Sequence, residues 1–201
     1  MSKIKLTKAE LKAQREALHR YQRFLPTLQL KKEQLQSQVR RVQTELKNAD
    51  QELSQLWSEV SAWAALFAED IGLEELVQIH KFTTRQINIA GVTVRRLDSL
   101  EFESRVPDFS RTPPWVDVGL ERSKELIRLR IRQELQQQEL NVLSRELRTA
   151  TQRVNLFEKI KIPECRENIR VIRIALGEEQ TAAIARAKLA KSKTQEWSTG
   201  A

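Results

Sequence analysis

Residues able to do chemistry are sparse in this chain and poorly spaced for it. His19 and His80 stand far apart and Cys165 is the single cysteine. A metal site draws three or four ligands from short spacings, so these residues read as seam or surface positions, and no metal is expected. Glycines occur only at positions 72, 91, 119, 177 and 200 and build neither G-x-x-x-x-G-K-[ST] nor G-x-G-x-x-G, so no cofactor site is expected. The 27 Asp and Glu interleave with 35 Lys and Arg, which marks solvated helix faces rather than acid/base pairs. No catalytic residue is expected.

What remains is architecture. Few Gly and Pro, 5% aromatic residues and 31% charged residues lack the punctuation of a compact domain. One cysteine, no secretory segment and no long apolar run point to a soluble protein of a reducing cytoplasm. The net charge of +8 is uneven, with basic arms flanking an acidic middle over residues 68–119. A basic rod that binds nucleic acid is one reading of that charge. Interleaved acids and the lack of an aromatic stacking platform argue against it.

The first arm carries a heptad repeat. Position a falls on Leu11, Leu18, Leu25, Lys32, Val39, Leu46, Leu53, Val60 and Phe67, and position d on Gln14, Tyr21, Leu28, Leu35, Val42, Ala49, Leu56 and Trp63. Only Gln14 and Lys32 are not apolar. A 3.5-residue period held this long predicts a left-handed coiled coil, about 85 Å long at about 1.5 Å per residue.

The partner helix is expected in the same chain. A second register runs through Leu126, Leu129, Gln133, Gln136, Leu140, Leu143, Leu147, Ala150, Val154 and Phe157, then resumes one residue late at Cys165, Ile169, Ile172 and Leu176. Pro163 lies in the slip. A skip and a proline in one turn predict local unwinding, not a helix end. Pro26 is expected near the same height on the first arm, so both helices would bend together. Between the arms, residues 86–103 alternate and are rich in β-branched side chains, which predicts a short hairpin with Ala90-Gly91 as turn or bulge. The stretch over residues 105–119, with Pro107, Pro113 and Pro114, is expected not to be helical.

Three segments carry a family resemblance. Leu28, Lys31, Lys32 and Leu35 fit an L-x-x-K-[KR]-x-x-L run, Asn88 to Val94 fit N-[VI]-A-G-V, and Thr151, Arg153, Val154, Asn155, Phe157, Glu158, Ile162 and Pro163 fit T-x-R-V-N-x-[LF]-E followed by I-P. In this order they resemble the D subunits of V-type ATPases, which form the central rotor shaft. Cys165 stands where that family usually has leucine.

The resemblance implies a non-catalytic shaft that transmits torque between ATP turnover in a head and ion movement in a membrane ring. Implied partners are the catalytic and nucleotide-binding A and B head subunits, the small F subunit of the rotor and a membrane-rotor connecting subunit. No nucleic acid, membrane insertion or homo-oligomer is expected, and the chain would be cytoplasmic and peripheral to the membrane. The basic ends, Lys3, Lys5, Lys8 and Lys12 with Arg186, Lys188, Lys191 and Lys193, would meet at one tip in contact with the head; solvated termini are the plain alternative. Asn88, Gly91 and Trp115 are the candidate hairpin and loop contacts, and Pro26 and Pro163 the candidate bend. Trp57 and Trp63 are read as packing residues, while Trp115 is either a hairpin anchor or a docking residue. The expected organisation is a helix over 1–69, a hairpin and Pro-rich region over 70–119, a second helix over 120–190 and a flexible basic tail over 191–201. The competing reading is a coiled-coil adaptor.

Overall fold

In the computed structural model the described residues are 4–61, 77–103, 113 and 115–199, with side chains described as far as 194. Phe67, Trp63, Lys3 and the side chain of Trp197 lie outside them. The chain is mostly helical: α1 (Lys8–Ser61), a hairpin of β1 (Ile79–Ile89) and β2 (Val92–Phe102), then α2 (Val116–Asn155), a π-helical turn (Leu156–Lys161) and α3 (Ile162–Thr199). A long N-terminal helix and a long C-terminal helical run thus enclose a small antiparallel sheet, as the heptads and the alternating segment predict.

Thr7 starts α1. Its hydroxyl accepts the Glu10 N–H at 3.2 Å, and Glu10 three residues on completes the spacing of a capping box. Pro26 lies inside α1 without ending it. Helix α2 starts at Val116, inside the stretch expected to be non-helical. Pro113 precedes the helix, and its carbonyl accepts the Val116 N–H at 3.1 Å. Proline obstructs a helix interior but not its first turn, where Asp117 also suits the exposed N–H groups. At the other end α3 continues to Thr199, past the expected boundary at 190.

Contacts divide the chain into two compact units, 1–30 with 150–201, and 31–149. In the first, Asn168 Nδ2 donates to Gln14 Oε1 at 3.3 Å and Tyr21 lies 5.0 Å from Phe157, ring centre to ring centre. Numbers rise on one helix as they fall on the other, so the helices are antiparallel. Its buried core is Ala150, Val154, Ile162, Cys165, Ile169 and Ile172, while Leu11, Leu18, Tyr21, Leu25 and Leu28 are half-buried.

In the second unit Gln133 hydrogen-bonds Asp50, and Arg122 lies 3.6 Å from Glu59, again antiparallel. Leu35, Val39, Val42, Ala49 and Leu56 of α1 are buried, with Val92, Val94, Val116, Leu120 and Leu143. A bare helix pair leaves its seam side chains partly wet, and here the hairpin adds a layer over the seam. Every described seam position of both registers is buried or half-buried.

The one-residue slip has a structural cause. From Leu156 to Lys161 the helix widens to a π turn, in which Ile162 N–H donates to the Phe157 carbonyl, five residues back instead of four. The wide turn takes up the extra residue, so Phe157 and Cys165 both stay on the seam. It also relieves the crowding that the Pro163 ring would impose on the Lys159 carbonyl in a regular helix. The prolines are not level, however. Pro163 faces the stretch between Gln14 and Tyr21, whereas Pro26 lies beyond Tyr21.

Trp57 corrects the packing expectation, because it is 62% exposed beside buried Leu56. It follows the seam residue and lines an open cleft with Leu126 and Ile127 of α2.

Truncating Ile172 to Ala is expected to cost about 2–5 kcal/mol in chemical denaturation, whereas Ile174→Ala, on an exposed neighbour, changes stability by less than about 0.5 kcal/mol. Burial also raises the Cys165 thiol pKa, disfavouring the thiolate. Iodoacetamide is therefore expected to modify Cys165 much more slowly in the folded protein than after unfolding. The buried thiol's contribution to stability should fade as pH rises from the ordinary thiol value towards the raised one.

Candidate functional site

The hairpin is the most strongly specified local feature. Ala90 and Gly91 both have positive φ, 51° and 80°, which makes a two-residue turn of the type that matches strand twist. Gly91 adopts this readily, and Ala90 does so at a steric cost of about 1–2 kcal/mol. Asn88 Oδ1 offsets part of it by accepting the Gly91 N–H at 2.9 Å. A Cβ on Gly91 would lie 3.7 Å from Lys31 Nζ, so the turn sits close over α1. Asn88 and Gly91 therefore have a folding role at the hairpin tip.

Two arginines hold the hairpin to α2. Arg96 of β2 donates from Nε and Nη2 to the two carboxylate oxygens of Glu139 at 3.0 and 2.6 Å. The Glu139 side chain is 2% exposed, and these bonds push the Arg96 guanidinium pKa further up. A carboxylate buried this deeply needs such a fork, because an unpaired charge there is costly. Nearer the strand ends, Arg128 lies 5.1 Å from the Phe102 ring centre, a cation–π contact. Neither pair is legible in the sequence. The partners are distant in the chain, and charged residues in a mixed-charge helix carry no mark of burial.

Trp115 is half-buried in the turn before α2, where its carbonyl accepts the Gly119 N–H at 2.9 Å. The basic residues separate into two groups. Lys5, Lys8 and Lys12 are exposed, and Lys12 reaches Glu16 at 3.9 Å. Arg186, Lys188, Lys191 and Lys193 are exposed on α3. Since Gln14 meets Asn168, Lys8 lies level with the region near residue 174, and Arg186 is roughly 15–20 Å beyond the first turn of α1 at about 1.5 Å per residue. From 177 to 194 every residue is exposed, so α3 extends unaccompanied past α1, and the two groups do not share one level. Pro26 and Pro163 are both exposed, on α1 and just after the π turn.

Among the described residues no group of three or more His, Cys, Asp or Glu is placed to hold a metal ion, and no helix is long and apolar enough to cross a membrane.

Replacing Glu139 with Ala is expected to destabilise the unit formed by residues 31–149 by about 2–4 kcal/mol, through loss of the fork and the stranded Arg96. Hydrogen exchange should then show faster exchange across β1 and β2 while the amides near Ile169 and Ile172 keep their protection.

Comparison with known proteins places these features in a family. The family model for the D subunits of ATP synthase matches residues 10–192. The V-type ATP synthase D subunit of Borreliella burgdorferi is 42% identical over 192 residues, covering 96% of this chain and 95% of its own. Proteins of the same name in Chlamydia muridarum and Chlamydia pneumoniae are 34% and 32% identical over 201 and 195 residues, covering 97% and 96% of this chain and 98% and 93% of theirs. With the model spanning both helical arms and the hairpin between them, the chain belongs to the family of ATP synthase D subunits.

Proposed function

We propose that this chain is the non-catalytic central-stalk shaft of a V-type ATPase or ATP synthase, carrying torque between nucleotide turnover in a head and ion translocation in a membrane ring. The observation that carries the reading is the seam: every described a and d position on both arms is buried or half-buried in a protein of this family. Packed interiors are dense and poorly compressible, so paired helices resist twist and bending better than one helix. Torque needs that property and needs no active-site residue.

Turning also requires asymmetry. A head can drive a shaft only if successive orientations bind its subunits with different free energies, since a ligand equally matched to two states shifts neither. The hairpin over one side of the helix pair, the π turn at Leu156–Lys161 and the solitary basic end of α3 are the asymmetric features available. In this reading Arg186, Lys188, Lys191 and Lys193, with Lys3, Lys5, Lys8 and Lys12, contact the A and B head subunits. Asn88, Gly91 and Trp115 mark the side that meets the rotor's F subunit or the connecting subunit, and Pro26 and Pro163 set the bend. The chain would work in the cytoplasm at the membrane surface.

Reconstitution tests this. The purified chain should show no ATPase activity alone, assemble in one copy with head subunits, and turn a bead attached to it when ATP is added. Co-purification with nucleic acid, or assembly without rotation, would defeat the proposal. Removal of residues 84–104 should leave the helical signal of the arms largely intact while lowering coupling or partner binding.

A further inference from the structure

A cavity of about 390 Å³ opens in the unit formed by residues 31–149, lined by Arg41 and Glu45 of α1, Arg95, Arg96 and Leu97 of β2, and residues of α2 that include Arg132, Gln136 and Glu139. Four guanidinium groups and two carboxylates meet there. The charges sort themselves: Arg41 bonds Glu45 at 2.8 Å, and Arg96 forks onto Glu139. Arg95 and Arg132 make no ion pair or hydrogen bond among the described residues, which leaves two uncompensated cations in the lining, one from the hairpin and one from α2.

Gln136 in the lining adds a second requirement. Gln136 is only 9% exposed, and its Oε1 has no hydrogen-bond partner among the described residues. A buried acceptor left unmatched is costly, so an occupant able to donate a hydrogen bond is favoured. The cavity thus asks for a ligand that accepts from arginines and donates to an amide oxygen. A carboxylate or a sulfate accepts only. Inorganic phosphate at neutral pH keeps at least one O–H beside its charged oxygens and does both. The volume lies within the range of small-ligand sites, roughly 300–1,000 Å³.

We infer that this cavity is a phosphate site, with Arg95 and Arg132 holding the anion and Gln136 accepting its hydroxyl hydrogen. An occupant so held ties the hairpin to α2 next to the Arg96–Glu139 fork, and its binding therefore stabilises the docked hairpin. The inference does not depend on the shaft reading, since it uses only the geometry of one unit.

The test is titration of the full-length chain with inorganic phosphate, sulfate and ATP at constant ionic strength set with chloride, read by 31P line width for the phosphorus ligands and by the thermal midpoint for all three. Phosphate should raise the midpoint more than sulfate. Arg95→Gln and Arg132→Gln, both on exposed residues, should each weaken phosphate about tenfold. Gln136→Leu should remove the preference over sulfate, with circular dichroism confirming that the variant is folded. An equal response to phosphate, sulfate and added chloride would overturn the site, as would arginine variants that bind like the parent. Binding of ATP without binding of free phosphate would overturn the role given to Gln136.

Discussion

Everything else in this molecule depends on the interlocking of two helices through one apolar stripe on each. Neither helix would hold its shape for long alone, because an isolated helix gains little from propensity and relies on tertiary packing for most of its stability. The packing is also what defines direction and register. Polar residues within the stripe help: Gln14 finds Asn168, and Gln133 finds Asp50, pairings that a slip of one heptad would break.

The two units use that stripe differently. Where the hairpin overlies the helices, large side chains such as Leu35 and Leu143 are completely sealed. In the unit formed by residues 1–30 and 150–201, the α1 side of the stripe stays half-wet, and burial falls mainly to residues of the C-terminal arm such as Val154 and Ile172. The docking of the hairpin includes a deeply buried carboxylate, Glu139, which Arg96 matches. A buried ion pair of this kind contributes less net stability than specificity of docking, because desolvation offsets much of the attraction.

Much of this was legible in the sequence. The heptads located both stripes, and the late resumption at Cys165 located the extra residue that the π turn absorbs. Strand β1 was only half legible, since its pairing shifts register between Ile79 and Lys81 and between Thr83 and Thr84, which destroys the alternation a strand is recognised by. The start of α2 was hidden because prolines before a helix and prolines inside one look alike until the first turn is placed. The separation of the two basic groups was hidden too. Charge counts say nothing of how far one helix overshoots another, which is set by the pairing of Gln14 with Asn168. The Arg96–Glu139 fork belongs to the docking of the hairpin and has no local signature.

The π turn resembles a dislocation in a crystal: one surplus unit in a lattice otherwise in order on both sides. Such defects normally glide, because passing the surplus from one turn to the next costs little. Pro163 acts as the pinning impurity. Its ring would crowd the Lys159 carbonyl in a regular helix, so the wide turn is favoured just before it and the phase offset between the two helical stretches stays at one address.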